Sequence, residues 1–415
     1  MKEEDHSQIQ HLHIRSIIHD AFKVYDTDLR SISKKIHEYR ETAYEEFQSS
    51  KLLTDFLENQ GFIVERHIAN RPTAFVATFQ SSNGNGRTVS FNSEYDALPE
   101  IGHACGHNLI CITGLGAALA LKAYLTSEKK TGTIKLFGTP AEERGGGKTD
   151  LINAGYYKQV DMNLMLHPAP RGGGAFIRYL AITGFDVEYF GKAVHAAASP
   201  WEGRNALDAL ISAFNSMNAL RQQLHPTARI HGIIVNGGTT PNVIPDYTKG
   251  TFLIRALNVD LLLTDVKPRV MACFEAGAKA TGCEVKITET GLRKDVKFNQ
   301  VLAERYEQYA KIQGSEILSK EEQSKIALAS TDQGNVSYEV PAIHAEYRIN
   351  PNTNMNKEST IGFHTKEFEV VAITEEAYLE TIKASEAMAA TAIDFLEDDL
   401  FAKNVIDEFK CSVVQ

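Results

Sequence analysis

The chain is short of positive charge. Lys and Arg number 43 against 53 Asp and Glu, which leaves a net charge of −10. A nucleic-acid binder needs a basic face to displace counterions, so this balance argues against a nucleic-acid partner. Cysteine is scarce and odd in number: Cys105, Cys111, Cys273, Cys283 and Cys411. Their spacing fits neither a disulfide framework nor a Cys-x-x-Cys pair, and a reducing compartment is the expectation. Long apolar runs are missing as well. No stretch approaches the ~18 apolar residues of a membrane span, and Met1 to Asp20 lacks the apolar centre of a secretory signal. These absences predict a cytoplasmic protein with no membrane partner. There is no internal repeat. What is present is an ordinary globular balance, 43% apolar and 23% charged, with length for two or three domains of ~150 residues.

Patterning divides the chain. Residues 1–70 read as helical, with Leu52, Leu53, Phe56 and Leu57 on one face and Gly61 as the stop. Short β-rich runs follow at Thr73–Phe79, Thr88–Phe91, Thr133–Phe137 and Met162–Leu166, with a helical stretch at Leu109–Leu125. Strands alternating with helices predict an α/β fold, a mixed and mostly parallel sheet flanked by helices. From residue 181 the order changes to βαββαβ: Ile182–Phe190, a helix over Arg204–Leu224, Arg229–Val235, Tyr247–Leu257, a helix over Leu261–Ala280, and Cys283–Thr288. That order is ferredoxin-like. The expected domains are 1–180, an insert at 181–290, and a return to the first domain over 291–415.

Residues able to bind metal or move protons collect after the predicted strands, where open α/β sheets place their ligands. Asp96 follows the second run, Glu142 and Glu143 the third, and His167 the fourth. Between Asp96 and the long helix stands His103-Ala-Cys105-Gly-His107-Asn108. A thiolate and an imidazole two apart suit zinc or a similar ion, or alternatively a buried thiol beside a capping histidine. Asp96 can orient a ligand histidine through its second ring nitrogen. Two adjacent carboxylates in a loop can diverge, one to a metal and one to a water proton. The segment Arg144-Gly-Gly-Gly-Lys148-Thr149 imitates a phosphate loop, but the motif requires glycine where Glu142 stands, which excludes a nucleotide site. His364, in Gly362-Phe-His-Thr365, has no local support.

Ser93-Glu-Tyr-Asp-Ala-Leu-Pro99 together with Gly102-His-Ala-Cys-Gly-His107 closely resembles the amidohydrolase branch of the aminoacylase and carboxypeptidase-G metallopeptidases (clan MH). Further matches are Tyr44-Glu45-Glu46, Pro140-Ala-Glu-Glu143, Gly191-Lys-Ala-Val-His-Ala-Ala197, Asn242-Val-Ile-Pro-Asp246 and Gly362-Phe-His-Thr365, so the resemblance covers roughly residues 30–410. Ser330-Thr-Asp-Gln-Gly-Asn-Val-Ser337 leans toward relatives of β-alanyl-lysine dipeptidase and p-aminobenzoyl-glutamate hydrolase. The resemblance implies a catalytic α/β domain, an inserted lid or dimerisation domain, a homodimer, and two divalent ions, zinc first and manganese or cobalt as alternatives. It implies Cys105 as the bridge between ions, with His107, Glu143, His167 and His364 completing the ligands. Glu142 is implied as general base, and His195 and Asn242 as oxyanion donors. His103 has no ligand role in that pattern. Asn108 stands where many relatives have aspartate, and Ala193-Val194 replace glycines before His195.

The implied reaction is hydrolysis of an amide in a dipeptide or N-acyl amino acid by a metal-held hydroxide, with Glu142 moving the proton. Arg255 is a candidate partner for a substrate carboxylate, and Asp332 a second substrate-binding candidate. Two other readings compete. One is a non-catalytic, metal-stabilised scaffold or regulatory subunit, which loss of Glu142, Glu143 or His195 would have favoured. The other is a thiol hydrolase with Cys105 as nucleophile.

Overall fold

The computed structural model describes residues 2–84, 86–326, 329–349 and 361–413. Its strands are β1 (Ile63–Arg66), β2 (Phe75–Gln80), β3 (Thr88–Glu94), β4 (Thr133–Thr139), β5 (Met162–Ala169), β6 (Ala181–Phe190), β7 (Arg229–Asn236), β8 (Tyr247–Ala256), β9 (Glu284–Arg293) and β10 (Ala342–Arg348). They form a six-stranded sheet in the order β1-β2-β4-β3-β5-β10 and a four-stranded sheet in the order β7-β8-β6-β9. Each sheet belongs to its own unit. The first comprises Met1–Arg178, Val296–Ala327 and Asn335–Gln415, and the second Tyr179–Asp295 and Leu328–Gly334.

In the first unit, β4–β3, β3–β5 and β5–β10 pair in parallel, while β1–β2 and β2–β4 are antiparallel. This is the mixed, mostly parallel α/β sheet that the strand and helix alternation predicts. One face packs Phe75, Phe91, Leu136, Leu164 and Ile343 against the helices Lys2–Tyr39, His107–Ser127, Gln300–Ile312 and Glu375–Glu397. The other face carries a smaller cluster around Val76, Phe137, Leu151 and Tyr157. On β3 that second face is polar: Tyr157 donates to Asn92 at 2.9 Å, and Asn163 donates to Ser90 at 2.8 Å.

Some expectations need correcting. Residues 1–70 are not all helical, because β1 lies within them and pairs along β2. His167 lies inside β5, opposite Glu346, rather than after its end. β10 was not anticipated. One helix, His107–Ser127, is long and apolar enough by length and composition to cross a membrane. In the fold it is the central core helix, with Leu109 to Leu121 buried on all sides.

The second unit has the βαββαβ order, with helices Ala206–Leu220 and Lys267–Thr281. All its strand pairs are antiparallel, and the sequence order across the sheet is the ferredoxin-like one. β8 alternates strictly, burying Thr248, Gly250, Phe252, Ile254 and Ala256. The short segment containing Asp332 also belongs to this unit.

Gly106 closes the turn before the core helix at φ 80, and a Cβ there would lie 2.6 Å from the rigid Pro168 ring. Gly106→Ala combines a left-handed alanine with overpacking, and should lower the unfolding free energy of metal-depleted protein by about 2–4 kcal/mol in urea titration. A loss below about 0.5 kcal/mol would show that the turn opens freely.

Candidate metal centre

β3 ends at Glu94, and the chain turns tightly before entering the core helix at His107. Leu98 and Gly102 exchange backbone hydrogen bonds at 2.9 and 3.0 Å, and Gly102 takes φ 66. The turn sets His107 beneath Asp96. His107 Nδ1–H donates to Asp96 Oδ1 at 3.0 Å, and the Glu143 amide donates to Asp96 Oδ2, also at 3.0 Å. One carboxylate thus joins the core helix to the loop after β4. With Nδ1 committed as donor, the Nε2 lone pair of His107 faces the centre.

The other donors arrive on separate segments. His167 Nδ1–H donates to the Pro168 carbonyl at 2.7 Å, which frees Nε2, and Nε2 lies 3.4 Å from Cys105 Sγ. The His364 amide donates to the Ala104 carbonyl at 3.0 Å and docks its loop on the turn. His364 Nε2 then lies 3.2 Å from Glu143 Oε1, and His107 Nε2 is 3.9 Å from the same oxygen. Three overlapping groups result: Cys105, His107 and His167; Cys105, Glu143 and His364; His107, Glu142 and Glu143. Within each, the ligand atoms lie within 4.8 Å of one another.

These residues fit a divalent cation. His107 Nε2 and Glu143 Oε1 are buried without a well-aligned hydrogen bond among the described residues, their near neighbours being Glu94 Oε2 at 3.4 Å and His364 Nε2 at 3.2 Å. Such groups are rare in a protein interior unless something else satisfies them. Burial, and then the charge of Glu143, pushes the Cys105 thiol well above its ordinary pKa. A buried thiol in this setting ionises readily only against a cation. Burial and the neighbouring charge of His107 hold His167 down at about 3, so its ring is neutral and its Nε2 open. Burial also works against a charged His107, but Asp96, Glu94 and Cys105 outweigh it and raise its pKa.

Three residues beside the centre, Glu94, Lys148 and His344, have no role assigned from the sequence. Glu94 Oε2 lies 3.4 Å from His107 Nε2. Its other oxygen pairs with the ammonium of Lys148, and both side chains are buried. Lys148, which reads in sequence as a phosphate-loop imitation, is therefore a buried counter-ion at the start of the helix Gly147–Asn153. His344 on β10 packs edge-on to His167 with ring centroids 5.6 Å apart. A carboxylate placed inside an otherwise buried strand was the available signal for Glu94. His103 is structural, its Nε2 donating to Ile36 O at 2.9 Å. Asn108 donates to Ser33 and Ala372 at 3.0 and 2.9 Å, so it fastens helices and does not serve the centre.

The remaining candidates lie in the second unit. There, the segments of His195 and Asn242 run side by side, with Ala196 N donating to Asn242 O at 2.9 Å. His195 Nδ1 accepts from the amides of Ala197 and Ala198 at 3.1 and 3.2 Å, so Nε2 carries the ring proton outward. Asn242 is exposed. Arg255, on β8, donates to Ser330 Oγ at 2.8 Å. Burial, and then the charge of Arg293, holds its pKa below the usual guanidinium range. Asp332 is fully buried.

Glu46 is a buried carboxyl under the loop after β4. Burial, and then the charge of Asp96, pushes it up to about 7. The native state therefore keeps a proton that the unfolded chain has lost above pH ~4.5. Its contribution to stability is complete below that pH and is lost as pH rises to about 7. For metal-depleted protein we expect Glu46→Gln to remove up to about 3 kcal/mol of this downward slope, measured as urea stability at pH 5 and pH 7.5. Identical slopes in parent and variant would show that Glu46 titrates normally.

Comparison with known proteins identifies the family. Residues 90–390 match peptidase family M20/M25/M40. An Xaa-Arg dipeptidase of Mus musculus is 40% identical over 396 residues, covering 93% of this chain and 89% of its own. A p-aminobenzoyl-glutamate hydrolase chain of Escherichia coli is 35% identical over 295 residues, 66% of this chain and 60% of its own. Among solved structures, a dinuclear metal-binding peptidase of the M20 family from Bacillus subtilis superposes with a TM-score of 0.65 at 17% identity, covering 90% of this chain and 99% of its own, a likeness of fold. The chain belongs to peptidase family M20/M25/M40 and is a metal-dependent amide hydrolase.

Proposed function

We propose that the chain cleaves dipeptides, foremost those ending in arginine, at a two-metal centre held by Cys105, His107, Glu143, His167 and His364. The observation that carries this reading is the convergence of those donors, from four separate segments, in groups that share members. Cys105 belongs both to the group with His107 and His167 and to the group with Glu143 and His364, so its sulfur would help to hold a cation at either group. The mixed sulfur, nitrogen and oxygen donors suit zinc, with manganese or cobalt as alternatives. A pair of divalent cations there would acidify a water and polarise the scissile carbonyl.

The chain's own residues do the rest. Glu142 is buried beside Glu143, within 4.8 Å of the ligand atoms of His107 and Glu143. It accepts the proton of the attacking water and delivers it to the leaving amine. His195 Nε2–H and the Asn242 amide donate to the developing oxyanion, from their own subunit or a partner's. Arg255 takes the substrate carboxylate, and its bond to Ser330 ties it to the segment of Asp332, the second substrate-reading candidate. The preference for arginine is supported by the mouse relative's name and its near full-length match. A homodimer is supported by β7, an edge strand with Ile233, Ile234 and Val235 exposed, a surface that invites strand pairing. The second unit is proposed as the lid and dimerisation element. A cytoplasmic location is supported by five free cysteines.

The scaffold reading loses ground because Glu142, Glu143 and His195 are all in place. The thiol-hydrolase reading loses ground because burial keeps the Cys105 thiol protonated.

The direct test incubates metal-supplemented enzyme with a library of dipeptides and N-acyl amino acids, followed by mass spectrometry. Loss of Xaa-Arg members is the expected outcome. Glu142→Gln should retain fold and metal while losing about 10²–10⁴-fold in turnover, and near-normal turnover would sink its assignment. Cys105→Ala should bind less metal by elemental analysis. Unchanged metal content would reduce Cys105 to a core thiol.

A further inference from the structure

The loop that presents Glu142 and Glu143 does not hold its own shape. Ala141, directly before them, sits at φ 59, in the left-handed region that alanine avoids. Its amide donates to Glu46 Oε1 at 2.9 Å. The same oxygen accepts the amide of Tyr44, another left-handed residue at φ 63, at 3.0 Å. Glu46 Oε2 accepts the Thr73 hydroxyl at 2.7 Å. Glu46 is fully buried, and among the described residues no cation pairs with it. Its two oxygens are therefore occupied by three donors, two of which fix strained backbone.

Tyr44 holds the other end of the loop. Its hydroxyl accepts the Gly146 amide at 3.2 Å and donates to Asp150 at 2.8 Å. Arg71 in turn fixes Asp150 with two bonds, at 2.7 and 3.1 Å. A Cβ on Gly145 would come within 2.6 Å of the Tyr44 ring, so the loop is folded directly onto that ring. Asp96 holds the middle through the Glu143 amide. The loop amides thus point down to Glu46, Asp96 and Tyr44, with Glu142 and Glu143 carried between the outer anchors.

We propose that Glu46 and Tyr44 are positioning residues that brace the Glu142–Glu143 loop from below, Glu46 at Ala141 and Tyr44 at Gly146. The inference rests on the proposed roles of Glu142 and Glu143. Neither brace touches substrate. Each acts by keeping two carboxylates aimed, and displacement of a reacting group by about 1 Å costs about 10²-fold in rate.

The test compares Glu46→Ala, Glu46→Gln, Tyr44→Phe and Glu142→Gln in the full-length enzyme, using the dipeptide cleaved best by the parent. Zinc affinity is measured separately by chelator competition, and folding by circular dichroism. Glu46→Ala should lower kcat about 10²-fold with KM changed less than about 3-fold, and weaken zinc binding about 10-fold through Glu143. Glu46→Gln should recover kcat to within about 3-fold, because its amide oxygen accepts the same two backbone donors. Tyr44→Phe keeps the ring beneath Gly145 and should lose about 10-fold in kcat. It also serves as the deciding variant if Glu46→Ala fails to fold. Folded Glu46→Ala and Tyr44→Phe with parent-like kcat and zinc affinity would overturn the inference, as would equal impairment of Glu46→Ala and Glu46→Gln. An active Glu142→Gln would instead overturn the reading of the reaction itself.

Discussion

The Asp96 carboxylate is the joint on which the centre depends. It accepts a ring proton from the first residue of the core helix and an amide proton from the loop after β4. Those segments are far apart in sequence, and this side chain binds both. Burial alone would disfavour its charge, but the charge of His107 and the amides of the loop outweigh that and hold its pKa below the usual carboxylate range. A charged Asp96 holds the Nδ1 proton of His107, so that loss of the second ring proton would leave the outward nitrogen as a ligand. The parallel pairing of β3 with β4, in which Glu94 lies opposite Thr139, brings the two strand ends level so that the joint can form.

The centre concentrates acid. Glu94, Asp96, Glu142 and Glu143 lie around Cys105 and His107, with Lys148 as a buried cation on Glu94. So many carboxylates in a space of low dielectric repel one another unless cations join them. The same crowding makes the Glu94–Lys148 pair sensitive, because removing one partner leaves a buried charge uncompensated, at about 3–5 kcal/mol. The backbone is under tension as well. Ala141, beside the candidate residues Glu142 and Glu143, and His364 are both held at positive φ, and the surrounding hydrogen bonds fix conformations that the isolated segments would leave.

Much of this was legible in the sequence. The alternation of strands and helices carries the α/β fold and the ferredoxin-like order because period and length differ so clearly between the two kinds of element. The cluster from Asp96 to His107 stands out because metal-binding residue types rarely crowd between a strand and a helix. Strand ends were less legible. β3 continues through Asn92, Ser93 and Glu94, residues with little preference for strands, because β4 pairs with all three in parallel. His167 falls inside β5 because β10 pairs along it as far as Ala169, and β10 is a strand because β5 offers it an open edge.

The sequence by itself determined the class of fold and, through its family resemblance, a set of candidate donors, since these follow from local pattern and residue type. Only the tertiary structure decided that Lys148 neutralises Glu94, that Asn108 fastens helices, and that Glu46 and Tyr44 lie under the loop after β4. The physical reason is common to all three. A buried polar side chain is defined by the partner that satisfies it, and that partner stands tens to hundreds of positions away, at a distance only the folded chain can close.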